Sequence, residues 1–369
     1  MLGARQGTVL ITGGAGFIGR HLAKALLSAG YRVRVLDNFL EQVHGTAPDR
    51  SVLAPEVTLI EGDVRDGAAV KRALEGATHV VHLAAEVGVG QSMYAVDHYV
   101  SVNDYGTAVL FQALIERPVR RVVVASSMSI YGEGLYRTVE GDVAEGIRRP
   151  GLLDPVDAAG RPLVPAPTPE WKNSTLASVY ALTKYVQERL TLTLAPAYGM
   201  EGVALRLWNV YGPGQALSNP YTGVLAIFAS RLHNGQPPMI FEDGLQRRDF
   251  VHVGDVVQAF VLALEHPAAP GNVYNVASGE HRTVRDVARL LAGAMGRENI
   301  DPEITGKVRS GDIRHCIADI GRIQDELGYA PRHDFSEGLA ELAAWVAQQQ
   351  ALDRVAEARA DLEKRGLVA

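Results

Sequence analysis

The feature of this sequence that most constrains its fold is a run of glycines directly after an apolar segment. Residues 12–19 read "TGGAGFIG" and follow "TVLI" at residues 8–11. Glycine tolerates positive φ and close backbone approach, but it costs conformational entropy on folding. A diphosphate bound by backbone N–H groups at a helix N-terminus would explain these glycines, and a tight turn without a ligand is the alternative. The surrounding sequence has to distinguish the two.

Short β-branched runs alternate with segments whose apolar residues recur every three or four positions. The runs are "TVLIT", "RVRVL", "VTLI", "HVVHLA" and "RVVVAS". This alternation predicts an α/β fold with a doubly wound parallel sheet. After "GFIG", Leu22, Ala25 and Leu26 share one helical face, and Gly30 is placed to end the helix. The glycines are therefore expected between a strand and a helix.

An acidic residue stands where a dinucleotide-binding fold needs one. Asp37 ends the predicted second strand, 18 residues after Gly19. A carboxylate there binds the adenosine ribose hydroxyls and would repel the 2′-phosphate of NADP, whereas a strand-end turn aspartate is the alternative. Asp63 and Val64, after the third strand, are candidates for contact with adenine, and small Ala84 would let a cofactor lie close to the backbone. The combination predicts an NAD site.

Composition excludes several classes of protein. The 369 residues are 47% hydrophobic, enough for one large domain or two associated ones. With 36 basic and 42 acidic residues the net charge is −6, which provides no basic field for nucleic acid. Cys316 is the only cysteine, so no intrachain disulfide can form, and no apolar stretch approaches the roughly 20 residues of a membrane span. We expect a cytoplasmic protein without nucleic-acid or membrane partners.

Two histidines raise the question of a metal site. His79 and His82 could lie as neighbours on one face of the fourth strand. No carboxylate or cysteine nearby completes a set of metal ligands. We therefore interpret both as core or cofactor-adjacent residues and expect no metal.

Two later stretches carry residues suited to acid–base chemistry. "ASSMSIYGEG" ends the fifth predicted strand with Ser126 and Ser127, and "SVYALTKYVQERL" carries Tyr180 and Lys184 four residues apart on a predicted helix. This spacing puts both side chains on one helical face. An unperturbed tyrosine titrates near pH ~10, so it needs a neighbouring cation to act as a base at neutral pH. An ordinary amphipathic pair is the alternative, and the preceding dinucleotide signature makes it less favoured.

The order of these motifs resembles the extended short-chain dehydrogenase/reductase superfamily, and within it the NAD-dependent nucleotide-sugar epimerases and dehydratases. The matching stretches are "TGGAGFIG", "LDN", "GDVRD", "HLAA", "SVNDYGT", "ASSMSIYG", "YALTK", "RLWNVYGPG", "RRDFVHVGDVV" and "RSGDIRH", from residue 8 to about residue 330. The resemblance implies NAD as cofactor and a nucleotide-diphosphate sugar as substrate. It also implies a Rossmann-type sheet followed by a smaller C-terminal α/β substrate-binding domain.

The resemblance assigns roles residue by residue. Its catalytic residues are Ser127, Tyr180 and Lys184. The residues implied to bind NAD are Gly13, Gly16, Phe17, Ile18, Gly19, Asp37, Asn38, Asp63, Val64, Leu83, Ala84, Ala85, Asn103, Tyr180 and Lys184. The residues implied to bind the substrate are Ser127, Ser129, Asn209, Tyr221, Arg248, Arg309 and Asp312. Ser126 competes with Ser127, and Arg247 competes with Arg248.

The implied reaction is inversion of sugar carbon 4 through a transient 4-keto sugar and NADH. Dehydratases of this family place an acidic pair directly after the catalytic hydroxyl, where this chain has Met128 and Ser129. The insertion 133–175, long enough for a functional or covering loop, resembles the dTDP-L-rhamnose 4-epimerase branch, which makes dTDP-6-deoxy-L-talose. The alternatives are a UDP-hexose or UDP-uronate 4-epimerase, a 4-keto sugar reductase and a non-catalytic NAD-binding regulator.

We predict three parts along the chain. Residues 1–205 form the NAD-binding domain and residues 206–335 the nucleotide-sugar-binding portion. Residues 336–369 form a helix and a charged tail, which is expected to be solvated after about residue 350. The family resemblance also implies a homodimer through paired helices.

Overall fold

The computed structural model describes residues 7–149, 151–221, 223–309, 311–349 and 355–368. The other positions of the predicted segments, residues 1–6, 150, 222, 310, 350–354 and 369, lie outside the described residues. In chain order the strands are β1 (Thr8–Thr12), β2 (Arg32–Asp37), β3 (Thr58–Glu61), β4 (His79–His82), β5 (Arg121–Ser127), β6 (Leu135–Arg137), β7 (Val143–Ala144), β8 (Val164–Thr168), β9 (Glu201–Leu207), β10 (Asn209–Tyr211), β11 (Met239–Ile240), β12 (Arg247–His252), β13 (Val273–Val276), β14 (His281–Thr283), β15 (Glu303–Ile304) and β16 (His315–Ala318).

The helices connect and cover these strands. They are α1 (Phe17–Ser28), α2 (Glu41–His44), α3 (Gly67–Ala73), α4 (Val89–Ser92), α5 (Val96–Tyr99), α6 (Gly106–Glu116), α7 (Val179–Ala197), α8 (Val224–His233), α9 (Val253–Glu265), α10 (Val284–Ala294), α11 (Gly321–Leu327), α12 (Phe335–Val346) and α13 (Val355–Lys364). Short 3-10 turns cover 50–52 and 128–131, and a π-helical stretch covers 100–105. As predicted, Gly30 ends α1, with φ 85° and its N–H donating to Leu27 O at 2.9 Å.

Seven strands form one parallel sheet in the order β13-β9-β5-β4-β1-β2-β3. All five β-branched runs of the sequence are strands of this sheet, which confirms the predicted doubly wound architecture. The carboxyl ends of parallel strands lie at one edge of a sheet. The glycine turn after β1, Asp37 at the end of β2 and Ser127 at the end of β5 therefore share that edge.

The sheet is buried on both faces because its side chains alternate between two helical layers. On β1, Val9 and Ile11 pack in one cluster with Leu22 of α1 and Phe260 of α9. Leu10, between them, belongs to a second cluster built with α3 and α6. This alternation follows from the two-residue period of a strand, and it explains why the strand reads as a continuous apolar run.

A second sheet lies in the C-terminal half and recruits the insertion 133–175. Its order is β10-β12-β16-β8-β6-β7, with β14 paired to β12, and β11 pairs separately with β15. The insertion supplies β6, β7 and β8, so it is part of the second sheet and not simply the covering loop expected from its length. The buried side chain of Arg314 ties the insertion to this half, with ion pairs to Asp154 at 2.7 Å, Glu242 at 2.9 Å and Asp243 at 2.6 Å.

The end of the chain differs in part from expectation. Leu339, Leu342 and Val346 of α12 are buried against α8 and α10, as their spacing predicted. The expectation of a solvated tail is wrong for Ala358 and Leu362 of α13, which are 7% and 5% exposed. The boundary at residue 205 stays a prediction, since β9 crosses it and β13 returns to the first sheet. Among the described helices, none has the length and apolar character needed to cross a bilayer.

Candidate active site

The glycine turn between β1 and α1 is tightly packed and is least crowded at Gly16. Gly13 has φ 68°, and a Cβ on it would stand 2.8 Å from the backbone N of Ala84. A Cβ on Gly19 would stand 2.5 Å from Gly14 Cα, so this glycine lets the helix pack on the turn. At Gly16 such a Cβ would meet one atom outside its chain neighbours, the carbonyl oxygen of Gly13 at 3.2 Å. The turn thus packs tightly at Gly13, Gly14 and Gly19, and it has one close contact, within the turn itself, at Gly16.

The first turn of α1 directly follows Gly16. Gly16 is the N-cap of α1 and provides no side-chain hydrogen bond to the first turn, which contains the half-buried Phe17 and Ile18. The first N–H groups of a helix have no partner within the helix. Together with the helix dipole, they form a binding site for an anionic group. The residues present therefore fit the diphosphate of a dinucleotide.

Asp37 lies beside the same turn. One carboxylate oxygen accepts a hydrogen bond of 2.9 Å from the N–H of Ala15, and the other accepts one of 2.9 Å from the N–H of Phe39. His44 Nε2 lies 3.6 Å away. These contacts fix the buried carboxylate across the turn, and each oxygen retains a lone pair for a further donor. The placement fits the ribose role expected from the sequence.

The residues expected at the adenine pocket make protein contacts of their own. Arg65 donates to both oxygens of Asp63 at 2.8 and 2.7 Å, and the exposed Asn38 donates to one of them at 3.1 Å. The hydrogen bonds from Arg65 lower the pKa of Asp63 to about 2. Val64 is buried, with its Cγ1 2.6 Å from the position a Cβ on Gly106 would take. Contact of Asp63 and Val64 with adenine stays a prediction.

Asn103 braces the loop after β4 against α7. Its Oδ1 accepts from the N–H of Glu86 at 2.7 Å, and its Nδ2 donates to Glu86 O at 3.2 Å and to Thr183 Oγ1 at 2.9 Å. The half-buried residues Leu83 to Ala85 lie in this loop. Asn103 is fully buried, and these bonds hold the cofactor-side loop on the helix that carries Tyr180.

Ser127 and Tyr180 are hydrogen-bonded, and Lys184 lies one turn after Tyr180 on α7; these three buried residues are called the cluster. Ser178 caps α7, and the N–H of Tyr180 donates to Ser92 Oγ at 3.0 Å. Burial raises the pKa of Tyr180, and its hydrogen bond with Ser127 opposes this shift. Burial lowers the pKa of Lys184 to about 7, opposed by a nearby carboxylate. The hydroxyl and the phenol are thus hydrogen-bonded, and the amine is buried one helical turn further along α7.

Two further residues of α7 support this cluster, and sequence reasoning missed them. Lys184 Nζ donates to Gln187 Oε1 at 2.5 Å, and Gln187 Nε2 donates to Ala84 O at 3.2 Å. Glu188, the next residue, receives a hydrogen bond of 2.7 Å from Ser126. Their positions three and four residues after Lys184 place them one turn further along the helix. Their spacing from Lys184 was the one feature of the sequence from which they could have been predicted.

The two histidines of β4 are separated. Residues three apart on a strand point to opposite faces, so the idea that His79 and His82 are neighbours on one face is wrong. His82 is fully buried between Thr12 at 2.7 Å and Thr107 at 2.9 Å, and burial lowers its pKa to about 3. His79 contacts Thr78 at 2.9 Å. In the described part of the chain, no three His, Cys, Asp or Glu side chains are grouped to hold a metal.

Arg248 and Asn209 join neighbouring strands of the second sheet. Arg248 donates to the carbonyl oxygens of Arg247 and Arg314 at 2.9 Å each and to that of Ile313. Asn209 Nδ2 donates to Asp249 O at 2.8 Å and lies 3.6 Å from the sulfur of Met128, directly after Ser127. Both side chains are half-buried, whereas Arg247 is exposed.

The other predicted substrate residues approach the start of α7 from a different side. Arg309 pairs with Asp312 at 2.7 Å, and a Cβ on Gly311 between them would stand 3.2 Å from Ala177 O. The Tyr221 hydroxyl shares a hydrogen bond of 2.7 Å with that of Tyr94.

Ser129 lies in the 3-10 turn after β5, where its N–H donates to Ser127 Oγ at 3.1 Å. Ser129 and Asn209 thus contact Ser127 and Met128, and Gly311, between Arg309 and Asp312, lies against the residue that precedes the cap of α7.

A dinucleotide-binding turn joined to a buried serine, tyrosine and lysine defines an NAD-dependent enzyme of the extended short-chain dehydrogenase/reductase type. Residues 9–150 and 158–277 match the NAD dependent epimerase/dehydratase family. The chain belongs to this family, and NAD is its cofactor.

Individual relatives resemble this chain over almost its whole length. A dTDP-L-rhamnose 4-epimerase of Burkholderia thailandensis is 33% identical over 94% of this chain and 96% of its own. A putative UDP-glucose 4-epimerase of Methanocaldococcus jannaschii is 29% identical over 92% of this chain and 98% of its own. The crystal structure of the Thermus thermophilus UDP-glucose 4-epimerase with NAD has a TM-score of 0.75 and 30% identity, covering 93% of this chain and 100% of that one.

Proposed function

We propose that this protein is a nucleotide-sugar 4-epimerase that interconverts dTDP-L-rhamnose and dTDP-6-deoxy-L-talose. The main support for this reaction is the buried cluster of Ser127, Tyr180 and Lys184, at the edge of the sheet where the glycine turn lies. Met128 and Ser129 stand where a dehydratase of this family would carry its acidic pair, which favours inversion over loss of water.

The chain's own residues manage the proton at the sugar hydroxyl. Tyr180, as the phenolate, accepts the proton of the carbon-4 hydroxyl. Lys184 supplies the positive charge that favours the phenolate, and Ser127 shares the hydrogen bond to the transferred proton. Gln187, bonded to Lys184, fixes the amine relative to the cofactor-side loop. Bound NAD supplies reversible acceptance and return of a hydride at carbon 4.

Binding residues divide between the two halves of the molecule. On the cofactor side, the proposed contacts are Gly13, Gly16, Phe17, Ile18, Gly19, Asp37, Asn38, Asp63, Val64, Leu83, Ala84, Ala85 and Asn103. On the substrate side, Arg248 and Arg309 hold the diphosphate, supported by Ser129, Asn209, Tyr221 and Asp312. Arginine suits this role because its planar fork of donors matches the oxygens of a diphosphate. Such anchoring would let the keto sugar turn while its nucleotide stays bound.

The choice of dTDP-L-rhamnose rests on the relative with 33% identity and on the character of the insertion 133–175. A UDP-hexose or UDP-uronate 4-epimerase is the second candidate, because UDP-glucose 4-epimerases are 29% and 30% identical. Asp37 disfavours an NADPH-dependent 4-keto sugar reductase. The assembled catalytic cluster disfavours a non-catalytic regulator.

We further propose that the protein works as a cytoplasmic homodimer. Tyr105 and Val100 of the π-helical stretch are 58% and 39% exposed, and Leu182 of the adjoining α7 is 44% exposed. Exposed apolar side chains on neighbouring helices are typical of a protein interface. The buried, free thiol of Cys316 suits a reducing compartment.

The reaction is tested in heavy water with dTDP-L-rhamnose and, separately, UDP-glucose as substrates. We expect a 4-epimer without solvent deuterium at carbon 4 and without net reduction of NAD, with dTDP-L-rhamnose the better substrate. Deuterium at carbon 4, a dehydrated product or stoichiometric NADH would contradict epimerisation by this route. Preference for UDP-glucose would select the second candidate. Tyr180→Phe is expected to abolish turnover while both ligands still bind.

A further inference from the structure

The C-terminal segment lies across the candidate site. We define α13 and residues 365–368 as the strap. Val368 forms an antiparallel β-bridge with Arg309, one of the two arginines assigned to the diphosphate. Leu362 is 5% exposed, and its methyl carbons stand 3.4 and 3.5 Å from the position of a Cβ on Gly90 in α4. The strap therefore contacts both the substrate side and a helix of the cofactor half.

Helix α4 connects the strap to the catalytic helix. Its Ser92 accepts the hydrogen bond from the N–H of Tyr180. Two residues later, Tyr94 lies under the guanidinium of Arg365, whose carbon is 4.3 Å from the ring centroid. The Tyr94 hydroxyl is in turn bonded to that of Tyr221 at 2.7 Å. Arg365 thus stands at the outer end of a chain of contacts that reaches a proposed substrate residue.

The opposite side of the strap is held by charged residues of the C-terminal half. Glu363 pairs with Lys307 at 2.7 Å. Arg359 lies 3.9 Å from Glu303 and 3.0 Å from the sulfur of Met239. Ion pairs exposed to solvent contribute little to stability, whereas the burial of Leu362 is a substantial apolar anchor. A small buried surface, formed by Leu362 and the nearby Ala358, combined with weak ion pairs suits a segment that can both bind and release.

We propose that the strap closes over the bound nucleotide sugar and that Arg365 is a positioning residue, which holds Tyr94 and, through it, Tyr221 against the substrate. This inference rests on the proposed function. An epimerase has to retain its keto sugar until the opposite face of carbon 4 is turned toward the cofactor. Closure of a segment over the site slows the escape of this intermediate. The backbone bridge to Arg309 would couple closure to binding of the diphosphate.

Hydrogen exchange measured by mass spectrometry on the full-length, NAD-loaded protein tests the closure. The probes are dTDP and UDP, with binding verified by calorimetry. We expect exchange in residues 355–368 to slow about tenfold when a nucleotide saturates the site. Leu362→Asp should abolish this slowing, whereas Leu290→Asp, at a 44% exposed position of α10, should preserve it. Nucleotide binding without slower exchange would contradict closure of the strap and leave the proposed function standing. Failure of both nucleotides to bind would contradict the proposed function as well.

The role of Arg365 is tested by steady-state kinetics with dTDP-L-rhamnose and UDP-glucose. Arg365→Ala is expected to raise KM about two- to fivefold, the factor that corresponds to a surface cation–π contact, with a smaller change in kcat. Arg365→Lys keeps a cation over the ring and should restore KM. Arg322→Ala is the matched control, because Arg322 also lies over a tyrosine ring, 5.3 Å from the centroid of Tyr274. An unchanged KM in Arg365→Ala, or no rescue by lysine, would overturn the assignment.

Discussion

Ser126 donates a hydrogen bond of 2.7 Å to the buried carboxylate of Glu188, and this contact separates two adjacent serines. Ser127, one residue later, is the serine bonded to Tyr180. Glu188 also pairs with Arg206 at 2.7 Å, so Ser126 belongs to a buried ionic group beneath the site. The sequence left open which of the two serines is catalytic, and these hydrogen bonds favour Ser127.

The Glu188 and Arg206 pair makes a prediction about stability. Their side chains are 1% and 7% exposed, so Glu188→Ala leaves a buried guanidinium without its carboxylate. Breaking a buried pair in this way costs about 3–5 kcal/mol. We expect a loss of that size in the free energy of unfolding, measured by denaturant titration.

The matched control is Glu61→Ala, which removes an ion pair to Arg50 whose side chains are 50% and 51% exposed. Exposed pairs contribute about 0–1 kcal/mol. Equal losses in the two variants would show that burial does not set the strength of the Glu188 contact.

Local patterns predicted the N-terminal half of the fold because each signal there lies within a few residues. The alternation of strands and helices, the glycine turn and the Tyr180 to Lys184 spacing all depend on neighbours within one turn or one strand. The buried face of α12 was likewise predicted from the spacing of apolar residues within the helix. These features appear in the structure where the sequence placed them.

Several of the missed features depend on partners that belong to separate elements of the chain. Arg206 meets Glu188 across α7 and β9, and Arg314 meets Asp154 of the insertion over a separation of 160 residues. The tail reads as charged and solvated because its apolar residues are scattered among many charged ones, which leaves no clear apolar face around Leu362. Only the folded chain brings it to Gly90.

Lys184 makes a prediction about pH dependence. Tyr180 must be deprotonated to accept a proton, so kcat/KM falls as the pH drops through its pKa. A neighbouring cation favours the phenolate, whereas burial raises the pKa of Tyr180. Lys184→Met is therefore expected to shift the acid limb of the kcat/KM profile to higher pH. Lys71→Met, which affects a surface pair with Glu116, should leave the profile unchanged, and a profile that does not move in Lys184→Met would exclude this role.

Asp37 makes a prediction about the cofactor. Its carboxylate should repel the additional phosphate of NADP, so we expect NAD to bind more tightly than NADP in direct titrations. Asp37→Ala should reduce the preference for NAD over NADP. It should also weaken the binding of NAD itself, because the hydrogen bonds from the N–H groups of Ala15 and Phe39 are lost. Asp325→Ala, at an exposed position of α11, is the control. Equal affinity of the unmodified protein for both cofactors would contradict the ribose assignment.

Arg248 and its neighbour Arg247 form a matched pair for testing the substrate side. The guanidinium of Arg248 donates three hydrogen bonds to backbone carbonyls, and arginine has five donors. The remaining donors are thus held in a fixed orientation, whereas Arg247 is exposed. Loss of a charge-assisted hydrogen bond costs about 1.5–3 kcal/mol. We expect Arg248→Ala to weaken nucleotide-sugar binding by roughly 10- to 150-fold and Arg247→Ala to have little effect.

Calorimetry with dTDP-L-rhamnose and UDP-glucose measures this loss, and a parallel titration with NAD serves as the control for folding. Arg309→Ala should behave like Arg248→Ala, and the double variant should lose less than the sum of the two, because groups that share one ligand couple. If both arginines bind the diphosphate, NAD affinity stays unchanged in every variant. A larger effect from Arg247→Ala would move the assignment to that residue, and equal losses for NAD and nucleotide sugar would mean that the substitution disturbs the fold and not the diphosphate site.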